Sequence, residues 1–286
     1  MVVASIRALY SEMPEHLAIA KDPHASKLLP FPMAIPAQLA KRASVRSTRD
    51  GALVHERLSR ITLGLTAHVA LRTFAIDDAL RESTLRGVKQ VVLLGAGLDG
   101  RGYRMKELSD SVVFEVDHPS TQEDKRVRVE ERGLKPSAKE VRRVPVDFER
   151  DDLFVSLNNA GFSSELPSFW IWEGVTMYLT PEAIVGALST IGRMSADGSR
   201  VALTYVRPRP DGLERALLAG GRVAMHLIGE PLSGFLEPEE LAALGQKEGL
   251  FVHSDEAADT WAERYWSERS AGPFEWERLS VLERRR

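Results

Sequence analysis

Two glycines and a set of acids in the middle of the chain have the types and spacing to hold a ligand. Gly95-Ala96-Gly97-Leu98-Asp99-Gly100 fits G-x-G-x-x-G, and Asp117 lies 117 − 95 = 22 residues beyond the first glycine. Such a turn lets a ligand approach the backbone closely, and an acid at that distance hydrogen-bonds a ribose diol. Nicotinamide dinucleotides and S-adenosylmethionine both satisfy these two features. Charge separates them. A dinucleotide places its pyrophosphate over the turn, where Asp99 would repel it, whereas S-adenosylmethionine brings a sulfonium and an α-ammonium that carboxylates attract. Asp147 and Glu173, with Glu115 two residues before Asp117, add acids near the ends of successive apolar runs. Each alone could cap the helix that follows it; together they define a site for a cationic ligand with a ribose.

The elements that must position these residues follow from hydrophobic rhythm. Gln90–Leu94 is a continuous β-branched and aliphatic run, as a strand buried on both faces should be. The pattern recurs at Val112–Asp117, Glu140–Asp147, Ser168–Glu173 and Ser199–Val206, with helical patterns between at Ser120–Glu131 and Pro181–Met194. Thr180 caps the latter helix and Pro181 takes its first position. Further on, Pro238–Gln246 reads as a helix ended by Gly249, and Leu250–His253 and Phe274–Leu282 read as strands. This predicts an α/β fold built on a doubly wound, mostly parallel seven-stranded sheet. Residues 1–86 are expected to form a helical N-terminal extension and 87–286 the ligand-binding α/β domain, with a helical lid inserted at about 207–236. Within the extension, Pro14, Pro23, Pro30, Pro32 and Pro36 predict short helices and loops only. Ala52–Leu85 reads as helical through Leu58, Ile61, Leu65, Val69 and Phe74, with Arg72 and Asp77 off that stripe and Gly64 weakening it.

Composition excludes several function classes. The chain has 286 residues, 38 Lys plus Arg, 41 Asp plus Glu and no Cys, so its net charge is 38 − 41 = −3. Without cysteine there is no disulfide framework, thiolate metal site or cysteine nucleophile. A mildly acidic balance argues against nucleic acid as a partner, and Arg284–Arg286 reads as a solvated basic end. Met1–Met13 lacks a basic segment followed by a long apolar run, and no stretch reaches the roughly 20 apolar residues that span a bilayer. A cytoplasmic location, no signal peptide and no membrane partner are therefore expected. No His and Asp/Glu set has metal-ligand spacing, so no metal is expected.

Three runs carry a family resemblance: Gln90–Arg104, Val113–Pro119 and Trp172–Thr180. They resemble the leucine carboxyl methyltransferase family, and within it the bacterial S-adenosylmethionine-dependent branch that includes polyketide carboxyl and hydroxyl O-methyltransferases. Asp22-Pro23-His24-Ala25 and Leu71–Asp78 are similar to its N-terminal landmarks, so the likeness runs from about residue 20 to 206. The resemblance implies a Rossmann-like class I methyltransferase fold with S-adenosylmethionine as cofactor. By the same resemblance, Gly95 and Gly97 would cradle the methionine part and Asp117 would hold the ribose hydroxyls. Asp147 and Phe148 would contact adenine, Glu173 would lie beside the amino-acid end, and Arg72 would pair with its carboxylate. This chain has Gly100 where the family usually has Thr.

Methyl transfer from an activated sulfonium depends chiefly on positioning. A carboxylate acceptor is ionised at neutral pH and needs no general base, whereas a phenol or alcohol does. His24, His55, His68, His118, His226 and His253 are candidates for that role, and Tyr178, five residues after Glu173, is a candidate lining residue of the transfer pocket. Met13, Met33, Met225 and Phe235 are candidates to line an apolar acceptor cavity. The expected reaction is O-methylation of a carboxylate on a small acid, plausibly a secondary metabolite. Hydroxyl methylation, methylation of a protein C-terminus and nicotinamide-dependent oxidoreduction remain alternatives.

Overall fold

The β-branched runs assemble into one seven-stranded sheet with the order β3-β2-β1-β4-β5-β7-β6. The strands are β1 (Gln90–Leu94), β2 (Val112–Asp117), β3 (Glu140–Pro145), β4 (Ser168–Trp172), β5 (Arg200–Val206), β6 (Leu250–Glu256) and β7 (Glu277–Arg284). The first five pair in parallel, and β7 runs antiparallel between β5 and β6. The computed structural model describes residues 2–15, 21–148, 150–208, 212, 215–216, 218–220, 232–266 and 276–285. Every residue of β1, β4 and β5 is buried, which is why these segments read as unbroken apolar runs rather than alternating ones. Val91, Leu93, Phe169 and Ile171 face one core layer; Val92, Leu94, Trp170 and Trp172 face the other, as the two-residue side-chain period of a strand requires.

Helices α1 (Val2–Ser11), α2 (Ala25–Leu28), α3 (Phe31–Arg46), α4 (Thr48–Ile61) and α5 (Leu65–Leu85) precede the sheet. Then come α6 (Arg101–Arg104), α7 (Pro119–Glu131), α8 (Leu153–Asn159), α9 (Pro181–Met194), α10 (Pro238–Lys247) and α11 (Ala258–Trp266). Thr180 accepts from the Ala183 amide at 3.2 Å and Pro181 opens α9. Among the described residues, no helix is long and apolar enough to cross a membrane.

The proline-rich start departs from expectation, because α3 runs for 16 residues. Pro32 lies in its first turn, where the missing amide has no helical partner to lose, and Pro36 forfeits only the bond to the Pro32 carbonyl. The helical stretch from 52 to 85 is two helices, not one. Its break falls at Leu63 and Gly64, both at positive φ (51° and 88°), a backbone state that favours glycine. Arg72 and Asp77, off the apolar stripe of α5, are nonetheless 3% and 0% exposed, since that face turns inward to a polar network. Met13 is buried in one core cluster of the N-terminal helices, and half-buried Met33 packs with Leu98 against another that contains Ala4. Most of the expected lid, Met225 and His226 included, lies outside the described residues.

Candidate active site

The strand order reverses between β1 and β4, the place where ligands of open α/β sheets bind. Leu94 leads into the glycine turn and Trp172 into Glu173-Gly174-Val175, so the two loops face each other across this switch point. A cavity of about 170 Å³ lies there, walled by Gly95–Asp99, by Glu173–Val175 and by Val3, Ala4 and Arg7 of α1. Gly95 has φ 69°, and a Cβ on it would stand 2.7 Å from Val175 Cγ2; only glycine lets the two loops come this close. The following helix α6 is a single turn of four residues, too short to present a strong dipole to a pyrophosphate.

Asp99 and Glu173, expected to face a cationic ligand, are held by guanidiniums. Arg7 Nη2 donates to Glu173 Oε2 at 2.6 Å and its Nη1 lies 3.3 Å from Asp99. Arg101 Nη1 donates to Glu173 at 2.9 Å and also to Asp99, while its Nε donates to Asp77 at 2.7 Å. Arg72 Nε donates to Glu173 Oε1 at 3.2 Å, and Arg72 Nη1 donates to Glu277. The pairing is a necessity of burial, because an unpartnered carboxylate at this depth would be strongly destabilising. Burial pushes each carboxyl up, yet the guanidiniums outweigh it: Arg101 and Arg7 hold Asp99 at about 2, and Arg7, Arg101 and Arg72 hold Glu173 well below the carboxylate range. Arg7, Arg72 and Arg101 thus interleave with Asp99, Glu173, Glu277 and Asp77, and Arg104 adds a further cation at Asp77. A zwitterionic amino-acid group enters such a network without changing its charge, whereas a pyrophosphate would add negative charge beside it.

The end expected to take adenosine is built differently. Asp117 Oδ2 accepts from the Gly97 amide at 2.6 Å and Oδ1 from the His118 amide at 2.7 Å, which fixes the carboxylate beside the turn with lone pairs to spare. Asp147 and Phe148 follow β3, with Asp147 half-buried and Phe148 52% exposed. Tyr178, in a short turn at Thr176–Tyr178, is 41% exposed; the Ser233 and Gly234 amides donate to the Met177 carbonyl, so the chain returning toward α10 passes this turn. Glu115, by contrast, is fully buried against Lys125 at 2.8 Å and belongs to the support of the turn: Lys125 also donates to the Asp99 carbonyl at 2.7 Å. Gly100 is explained locally, since a Cβ there would lie 2.9 Å from Asp22 Oδ2; the Asp22 carboxylate occupies the space a threonine would need. His118 is committed to Ser120 at 2.8 Å, His55 to Tyr10 and His68 to Glu277.

The model of the family "Leucine carboxyl methyltransferase" matches residues 1–192. The chain belongs to this family. Among its relatives is a "Putative S-adenosyl-L-methionine-dependent methyltransferase" of Mycobacteroides abscessus, 35% identical over 273 residues that cover 93% of this chain and 81% of that one. A similarly named protein of Mycobacterium marinum is 37% identical, with coverage of 71% and 64%. In three dimensions the chain resembles a DUF574 family protein of Streptomyces avermitilis (TM-score 0.59, 15% identity, 98% and 97% covered). It also resembles a "putative methyltransferase" of Thermobifida fusca (TM-score 0.60, 16% identity, 83% and 88% covered). These two likenesses establish the shared fold. Family membership removes nicotinamide-dependent oxidoreduction from the alternatives.

The residues present fit the methyl donor of this family. Arg72 Nη2, though 3.1 Å from Glu173, is buried without a hydrogen bond of its own and lies 3.8 Å from a Cβ placed on Gly174, at the cavity wall. That orphaned donor suits a carboxylate. Sequence reasoning missed Arg7, Arg101 and Glu277. The only signal for them was indirect: acids destined for burial require cations.

Proposed function

We propose that this S-adenosylmethionine-dependent methyltransferase methylates a carboxylate oxygen of a small organic acid. Arg72 and Arg7 would hold the carboxylate of the donor's amino-acid end, and Glu173 and Asp99 its ammonium side. Asp117 would accept from the ribose hydroxyls, with Gly95 and Gly97 keeping the turn close. Asp147 and Phe148 would flank adenine, the carboxylate accepting from the exocyclic amine. Bound there, the donor supplies an electrophilic methyl group on a sulfonium that departs as a neutral thioether.

The observation that supports a carboxylate acceptor is the state of the acids at the cavity. Asp99 and Glu173 are salt-bridged and held ionised far below neutral pH, so neither takes up a proton at pH 7. The histidine nearest in sequence to Asp117, His118, caps α7 through Ser120. A carboxylate nucleophile needs no proton removed, so it suits a cavity whose described acids are ionised and ion-paired. The turn at Thr176–Tyr178, with Tyr178 at its surface, would border the acceptor.

The test is to incubate the protein with methyl-labelled S-adenosylmethionine and a pool of small acids, then treat the labelled product with base. Release of label as methanol marks a methyl ester and agrees with the proposal. A base-stable labelled small molecule would mean hydroxyl methylation, and label confined to protein would mean a macromolecular acceptor; either result overturns it.

A further inference from the structure

Glu277 opens β7 and is 7% exposed, 205 residues along the chain from Arg72 and outside the stretch matched by the family model. Its two carboxylate oxygens are divided between partners: Oε1 accepts from Arg72 Nη1, and Oε2 stands 2.6 Å from His68 Nε2. His68 and Arg72 are four residues apart on α5 and so share one face of it. Glu173 accepts from the other edge of the same guanidinium at Nε, with Nη2 lying 3.1 Å away but making no hydrogen bond to it. Arg72 is therefore fixed in plane by two carboxylates from different parts of the sheet, one after β4 and one at the start of the antiparallel β7. The donor atom left over is Nη2, which lies on the side of Gly174, a residue of the cavity wall.

We propose that Glu277 is a positioning residue for cofactor binding. It holds Arg72 so that Nη2 is presented to the carboxylate at the amino-acid end of the donor, and His68 fixes Glu277 in turn. This rests on the reading of Arg72 given above. The charge arrangement supplies the reason for a second acid. Glu173 already draws three guanidiniums, and with Glu277 gone Arg72 would collapse onto it. That shift would take a donor from the ligand's carboxylate and bury deeper the acid meant for its ammonium.

The test compares two probes by calorimetry: S-adenosylhomocysteine, which has the amino-acid end, and 5′-methylthioadenosine, which lacks it. Glu277→Ala is expected to weaken S-adenosylhomocysteine about tenfold or more, the scale of one lost charge-assisted contact, and to leave 5′-methylthioadenosine within about twofold. Glu277→Gln, which keeps an acceptor for Arg72, is expected to recover most of the loss. Should Glu277→Ala fail to fold, Glu277→Asp replaces it: the charge stays, but a side chain one methylene shorter cannot reach both His68 and Arg72. Equal weakening of both probes would show a merely structural role and overturn the inference. Unchanged S-adenosylhomocysteine affinity in the Ala or Asp variant, alongside a clear loss in Arg72→Ala, would overturn it while sparing the role of Arg72. If Arg72→Ala itself binds S-adenosylhomocysteine normally, the reading of Arg72 falls, and this inference with it.

Discussion

The two ends of the cleft hold their charged groups in opposite ways. At the proposed amino-acid end, Asp99, Glu173 and Glu277 are buried among Arg7, Arg72 and Arg101, and Asp99 and Glu173 each have at least two cationic partners. At the proposed adenosine end, Asp117 is fixed by two backbone amides, and Asp147 and Phe148 border solvent. The contrast teaches that the first end is inseparable from the fold, because three remote segments, α1, α5 and β7, meet in it. The second is a local feature of two loops. Substitutions should therefore separate: those at the amino-acid end cost stability as well as binding, and those at the adenosine end cost binding alone.

Acid gives the largest expected effect. Asp99 and Glu277 are held at about 2 and Glu173 well below its ordinary value, so these carboxylates bind fewer protons folded than unfolded. The stability they contribute is fully present above roughly pH 5 and is lost as pH falls toward 2. Urea midpoints measured from pH 7 to pH 2.5 should fall steeply in the wild type and less steeply in Glu277→Gln; parallel slopes would contradict the pairing. Next in size is Arg101→Ala, which takes one cation each from buried Asp99, Glu173 and Asp77. Breaking a buried pair of this kind costs about 3–5 kcal/mol, to be read from chemical denaturation.

Asp117→Ala should weaken S-adenosylhomocysteine by about 1–3 kcal/mol through unpaired ribose hydroxyls while moving the denaturation midpoint little. Comparable losses of stability and affinity would erase the distinction between the two ends. Smallest is Phe148→Ala, where removing an exposed ring beside adenine should cost about 0.5–1.5 kcal/mol of binding, checked by the same calorimetry.

The sheet and the glycine turn were legible because their signals are local. The apolar runs at Gln90–Leu94 and Val112–Asp117 form strands with those limits, and Thr180-Pro181 marks the start of α9 as its capping chemistry predicts. The prolines misled because their cost depends on position within a helix: Pro32 falls in the first turn, where it is least, and α3 continues through Pro36 despite the bond lost there. The acids were legible as a set, but their state was not. Arg7, Arg101 and Glu277 reach Glu173 or its partners from the two ends and the middle of the chain, and no periodicity connects them. A sequence shows which acids gather at strand ends; only the fold shows which cations neutralise them.

The central claim is that the paired network grips the amino-acid end of S-adenosylmethionine. The most direct measurement is the calorimetric affinity of the wild-type protein for S-adenosylhomocysteine against 5′-methylthioadenosine. The account predicts that S-adenosylhomocysteine binds at least about tenfold more tightly, a difference of about 1.4 kcal/mol from the amino-acid end alone. Equal affinities would contradict it.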